Sequence, residues 1–173
     1  MIFANGLFWA SAIFAVASAQ SVNLTLVPVA TGFKDENTGF IYGSSPILVA
    51  NDKSADNGGF RTFAVAQPPT FKQIAHEKTG RSKVVVPVHD IGGRDLIINI
   101  PSPDSLIRVF DAKTGKKVDS KDKVQLGDWS TACAWRSQKS GESYFFLFGK
   151  SKVVQFLVRD KKKDVEIVEV RLP

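Results

Sequence analysis

The chain has 173 residues, 43% hydrophobic and 23% charged, with a formal net charge of +6. That apolar content supports a folded core of about one domain and excludes a mostly disordered chain. A single cysteine, Cys133, excludes a disulfide framework. The positive residues are dispersed apart from Lys116-Lys117 and Lys161-Lys162-Lys163. They lack the interleaved aromatics of a nucleic-acid platform, so no nucleic-acid partner is expected.

Residues 1–19 read as a cleavable signal peptide. They carry no charged side chain, and the apolar stretch Leu7 to Val16 is short for a membrane span. Ala17-Ser18-Ala19 supplies the small-x-small pattern that signal peptidase accepts, giving a mature start at Gln20. A secreted, extracellular protein without a membrane span after cleavage is the expectation. Asn23-Leu24-Thr25 is a glycosylation sequon, which makes Asn23 a candidate sugar site.

Beyond the leader, no segment keeps a helical period. Short β-branched and aromatic runs alternate instead with Gly, Pro, Asp, Asn and Ser. The predicted strands are Pro46 to Asn51, Phe60 to Val65, Phe71 to Ala75, Lys83 to His89, Asp95 to Ile100, Leu106 to Asp111 and Lys116 to Asp119. They continue with Ser130 to Arg136, Tyr144 to Phe148, Val153 to Val158 and Val165 to Val170. Phe145-Phe146-Leu147-Phe148 is apolar at every position, which predicts burial on both faces. Cys133, inside an apparent interior strand, is expected to be a buried, inert thiol. Phe33 to Ser45 reads as an insertion.

The runs repeat. Thr62-Phe63, Arg108-Val109 and Gln155-Phe156 lie 46 and 47 residues apart, and Ile47, Leu96 and Phe145 are spaced by 49 and 49. Four strands at that period match β-propeller blades, because a lone sheet has two apolar faces and hides them by stacking. The expected fold is therefore all-β, with about three four-stranded antiparallel blades at residues 22–76, 82–122 and 126–172. A β-sandwich fits the turn spacing as well. Three blades make half of a six-bladed ring, so a second propeller half or self-association is an expected partner.

Asp128-Trp129-Ser130-Thr131-Ala132-Cys133-Ala134-Trp135-Arg136, then Ser137-Gln138-Lys139-Ser140-Gly141, Tyr144 and Gly149-Lys150, resembles a segment of the β-propeller phytases. The closest likeness is to the divergent leading propeller half of longer fungal members. The resemblance implies a six-bladed propeller and calcium-dependent hydrolysis of phytate, myo-inositol hexakisphosphate. Calcium would be held by carboxylates and would neutralise substrate phosphates. It implies Asp128 as a metal ligand, and Lys150, Arg136 and Arg108 as candidates for phosphate binding. Ser151-Lys152-Val153-Val154 stands where the family has calcium-binding glutamates, and its Asp-Ala/Pro-Ala-Ile-Trp and Asn-Asn-Val-Asp signatures are absent. The alternative is a non-catalytic propeller half that binds a phosphorylated ligand or pairs with another half.

Other constellations read as structural. His89-Asp90 before Gly92-Gly93 reads as a turn at a strand end, since adjacent strand residues face opposite ways. Asp52, Asp56 and Asn57 read as a solvated hairpin loop. Arg61, Arg94, Arg108 and Arg136 recur near strand positions and would have to converge to hold phosphate.

Overall fold

A computed structural model describes residues 38–41, 45–66, 70–102, 106–118, 123–125, 127, 129–162 and 164–170. The expected signal peptide, Asn23 and Asp128 lie outside the described residues. The described chain is all-β. Its strands are β1 (Thr38–Ile41), β2 (Ile47–Asp52), β3 (Gly59–Ala66), β4 (Thr70–Lys78), β5 (Arg81–Ile91) and β6 (Arg94–Ser102). They continue with β7 (Leu106–Asp111), β8 (Lys123–Val124), β9 (Trp129–Arg136), β10 (Ser143–Gly149), β11 (Val153–Lys161) and β12 (Asp164–Val170). They form three antiparallel meanders, β1–β4, β5–β8 and β9–β12, here called the first, second and third sheets.

The boundaries differ from the sequence reading in two places. β1 falls inside the segment read as an insertion; four residues with Gly39 among them give little strand signal. The expected strand Lys116 to Asp119 is seen in part: Lys117 bridges Phe110, Asp111 N–H donates to the Lys116 carbonyl and Val118 N–H to the Val109 carbonyl, Asp119 lies outside the described residues, and a further pairing strand follows at β8.

Alternation along the second sheet explains the stacking. Val84, Val86 and Val88 of β5, Leu96, Ile98 and Ile100 of β6, and Ile107 and Val109 of β7 point to one side. There they meet Phe145 and Leu147 of β10, Phe156 and Val158 of β11, and Val165 of β12. From the other side Val85, Ile97 and Phe110 meet Ile47, Val49 and Phe60 of the first sheet. Phe60 and Phe110 pack edge to face, with ring centroids 4.8 Å apart. The second sheet is thus covered on both faces, as period-2 geometry requires of strands apolar at every position.

The first and second sheets are also joined by buried polar groups. Asn51 Nδ2 donates to the Ser82 carbonyl (3.1 Å). Thr79 Oγ1 donates to Asn99 Oδ1 (2.8 Å), and Asn99 Nδ2 donates to Ser82 Oγ (2.6 Å) and to the Val84 carbonyl (3.3 Å). Thr62, on β3, is buried, and among the described residues its hydroxyl has no partner. Replacing it with valine removes that orphaned hydroxyl at nearly constant shape. Thr62→Val is expected to raise stability by about 1 kcal/mol in urea unfolding; a loss would mean that the hydroxyl is satisfied.

Candidate interaction surface

β5 and β9 open the two sheets they belong to and run side by side in the same direction. Lys83 and Val84 lie near Gly127 and Trp129 at one end, while at the other Asp90 meets Arg136. Between them is a cleft of about 350 Å³, walled by Val85, Val86 and Pro87 on one side and Ala132, Ala134 and Trp135 on the other.

The third sheet continues outward from this cleft. Its inner residues, Ala132, Ala134, Phe145, Leu147, Phe156 and Val158, belong to the core. Its far face carries the alternate positions: Thr131, Cys133 and Trp135 on β9, Tyr144, Phe146 and Phe148 on β10, Val153, Gln155 and Leu157 on β11, and Val168 and Val170 on β12. Trp135 is 54% exposed, Val153 58% and Val168 39%. Trp135 stacks on Tyr144, centroids 5.8 Å apart, so the indole is held in place and not merely projecting. Among the described residues the fourth exposed large apolar side chain, Ile74, lies elsewhere, at the bulge in the β3–β4 pairing.

Two sequence expectations are corrected here. Cys133 is exposed, not buried, because it takes the far face of β9. Phe146 and Phe148 are only half-buried, because their face has no covering sheet among the described residues, whereas Phe145 and Leu147 are fully buried.

One rim of the far face is charged. Arg159 donates to Glu142 Oε1 at 3.0 Å, and the Tyr144 hydroxyl donates to Glu142 Oε2 at 2.8 Å. The hydrogen bond from Arg159, then that from Tyr144, holds the Glu142 carboxyl below its usual range; the bond to Glu142 pushes the Tyr144 hydroxyl up. Lys161 pairs with Glu166 at 2.5 Å.

The candidate phosphate residues are not gathered. Arg136 lies at the Asp90 end, bonded to Asp90 (2.6 Å) and to the Gly141 carbonyl (3.1 Å). Lys150 follows Gly149, which pairs with Trp129 at the other end of β9. Arg108 faces the first sheet and donates to the Thr79 carbonyl (3.0 Å). Arg61 and Arg94 bond Asp52 (2.8 Å) and Asp160 (2.6 Å). Each of these arginines is bonded within the fold.

The acidic loop behaves as a hairpin loop. Burial alone would raise the Asp52 carboxyl, but hydrogen bonds from Ser54 and the charges of Arg61 and His76 bring it below its ordinary value. His89 and Asp90 lie just before Ile91, the last residue of β5; Asp90 takes φ +53°, and His89 Nδ1 lies 3.5 Å from Asp95 rather than against its neighbour.

Among the described residues no three His, Cys, Asp or Glu side chains stand together as a metal site. The carboxylates at this end, Asp90 and Glu142, are each bonded to an arginine. The expected calcium ligand, Asp128, lies outside the described residues. No helix among them is long and apolar enough to cross a membrane.

The carboxylates give a pH dependence. The hydrogen bond from Arg136 lowers the Asp90 carboxyl, as that from Arg159 lowers Glu142. A depressed carboxylate stabilises the fold above its unfolded value and loses that contribution as pH falls through its folded value. The urea midpoint should be flat from about pH 7 to pH 5 and drop below about pH 4. Glutamine at 142 should shallow that drop; an identical profile would remove Glu142 from the account.

Comparison with protein-family models, with curated proteins and with solved structures finds no match to this chain.

Proposed function

We propose that the chain is a non-catalytic, propeller-type interaction module whose third sheet docks a further β-sheet. The observation that carries this reading is the far face of that sheet, where Trp135, Val153 and Val168 stand exposed beside half-buried Tyr144, Phe146 and Phe148. Contiguous apolar faces of this kind mark interaction sites. The propeller part is supported by the four-strand meanders, by three stacked layers where a β-sandwich has two, and by the parallel run of β5 and β9. The strand sequence Phe145-Phe146-Leu147-Phe148 has the composition of a strand covered on both sides, and among the described residues a sheet covers one.

The test is an apolar dye. Wild-type protein should enhance the fluorescence of anilinonaphthalene sulfonate, and Val153→Lys with Val168→Lys should abolish the enhancement while leaving the circular dichroism unchanged. Unchanged dye binding in a folded double variant sinks the docking reading.

A second reading is the secreted, calcium-dependent phytase implied by residues 128–144. What favours it is the Ser-Gln-Lys-Ser-Gly turn, closed here by Gly141 N–H donating to the Ser137 carbonyl (2.8 Å) and Ser137 N–H donating to the Glu142 carbonyl (2.8 Å). That bonding is structural, and Arg136 and Lys150 stand at opposite ends of β9, so the module reading is preferred. Phosphate release from phytate in calcium, abolished by chelator, would reverse the preference.

A further inference from the structure

We propose that the sheet docked on this face is the third sheet of a second copy of the chain, in a two-fold dimer whose axis lies parallel to the strands between β10 and β11. The proposal rests on the docking reading above and names its partner.

The pattern of large and small residues supports it. Cross-strand register puts Trp135, Tyr144, Leu157 and Val168 in one row across the four strands. A two-fold axis down the middle of the sheet reverses that row on the partner. Trp135 then lies over the partner's Val168, and Tyr144 over the shallow position between the partner's strands where Leu157, 7% exposed, is already drawn into its own sheet. In the next rows Phe146 meets the partner's Gln155, and Phe148 meets the partner's Val153. The aromatic half of each face is laid on the smaller side chains of the other, aliphatic apart from Gln155, the alternation of large and small that packed layers need.

Charge supports it too. Glu142 and Arg159 straddle the same axis at the rim, 37% and 53% exposed. The two-fold operation sets each over the opposite charge of the partner, so the existing pair becomes a ring of four alternating charges. An isologous contact requires this reciprocity.

The other closure, around the stacking axis, is disfavoured. It would need the far face of the first sheet, where Leu48, Ala50 and Phe63 are already withdrawn from solvent at 3%, 1% and 6% exposure, whereas among the far-face residues named on the third sheet only Leu157, at 7%, is buried. The third-sheet face measures roughly 19 by 23 Å from strand spacing and rise. That is small beside a typical interface side of about 800 Å², in the range of weak, transient contacts.

Sedimentation equilibrium of the whole chain over a concentration series tests this. The mass should rise from one chain to two. Val168→Arg should stay at one chain with unchanged circular dichroism. Glu142→Arg alone and Arg159→Glu alone should each stay monomeric, because each sets like charges together. Mixed in equal amounts they should form a heterodimer, since both contacts are then complementary. A wild-type chain that stays monomeric over the whole series, or single-charge variants that dimerise unmixed, overturns the second-copy proposal. The dye experiment reports separately on the docking face, so failure of one is distinguishable from failure of the other.

Discussion

Phe145→Ala is expected to cost about 3–5 kcal/mol of unfolding free energy, the range for deleting a buried aromatic ring. Phe145 is fully buried and stacks on Phe156 with centroids 5.5 Å apart, in the cluster that binds the third sheet to the second. Removing the ring leaves a void between two sheets whose backbones are held by their own ladders, so collapse around it is limited. Phe146→Ala, one residue along but on the far face, is expected to cost less than about 2 kcal/mol because part of that ring already meets water. Urea titrations of both variants check the pair. Equal losses would mean that the two faces of β10 are equally buried and would remove the basis of the docking face.

Asn99→Ala should lose about 2–4 kcal/mol, more than its small side chain suggests. The amide joins Thr79, Ser82 and the Val84 carbonyl where no water reaches: Asn99 and Ser82 are both 0% exposed. Alanine removes three hydrogen bonds and leaves the Thr79 hydroxyl without its acceptor. Thermal and urea unfolding of Asn99→Ala, set beside Asn99→Ala in a Thr79→Val background, isolate the orphan cost. The double variant should recover part of the loss; strictly additive losses would show that the hydroxyl finds another partner.

The architecture was legible because its signals were local and repeated. Val84 to Val88 and Leu96 to Ile100 have strand composition and close turn punctuation, and the near-constant spacing of Ile47, Leu96 and Phe145 reports equivalent strands in three successive sheets. β1 and β8 were not legible: one is short and contains a glycine, and the other is two residues long. The site was less legible still. The sequence places Arg108 and Arg136 in strands but says nothing of their partners. Only the fold shows Arg136 bonded to Asp90, 46 residues away, and Arg108 to the Thr79 carbonyl. Cys133 went wrong for a related reason. Apolar neighbours signal a strand, but which alternate face is covered depends on the sheet stacked there.

The pairing order has a kinetic consequence. Every hydrogen-bonded neighbour within a sheet is also the neighbour in sequence, and the β5–β6 turn closes across only Gly92 and Gly93. Hairpins of that kind form in about 1–10 μs. The long-range step is layer docking, which must bring β5 against strands from both of its neighbouring sheets. Folding is therefore expected to be limited by assembly of the middle layer. Substitutions at Ile97, which faces the first sheet, and at Ile98, which faces the third, should slow folding to different degrees according to which docking event comes first.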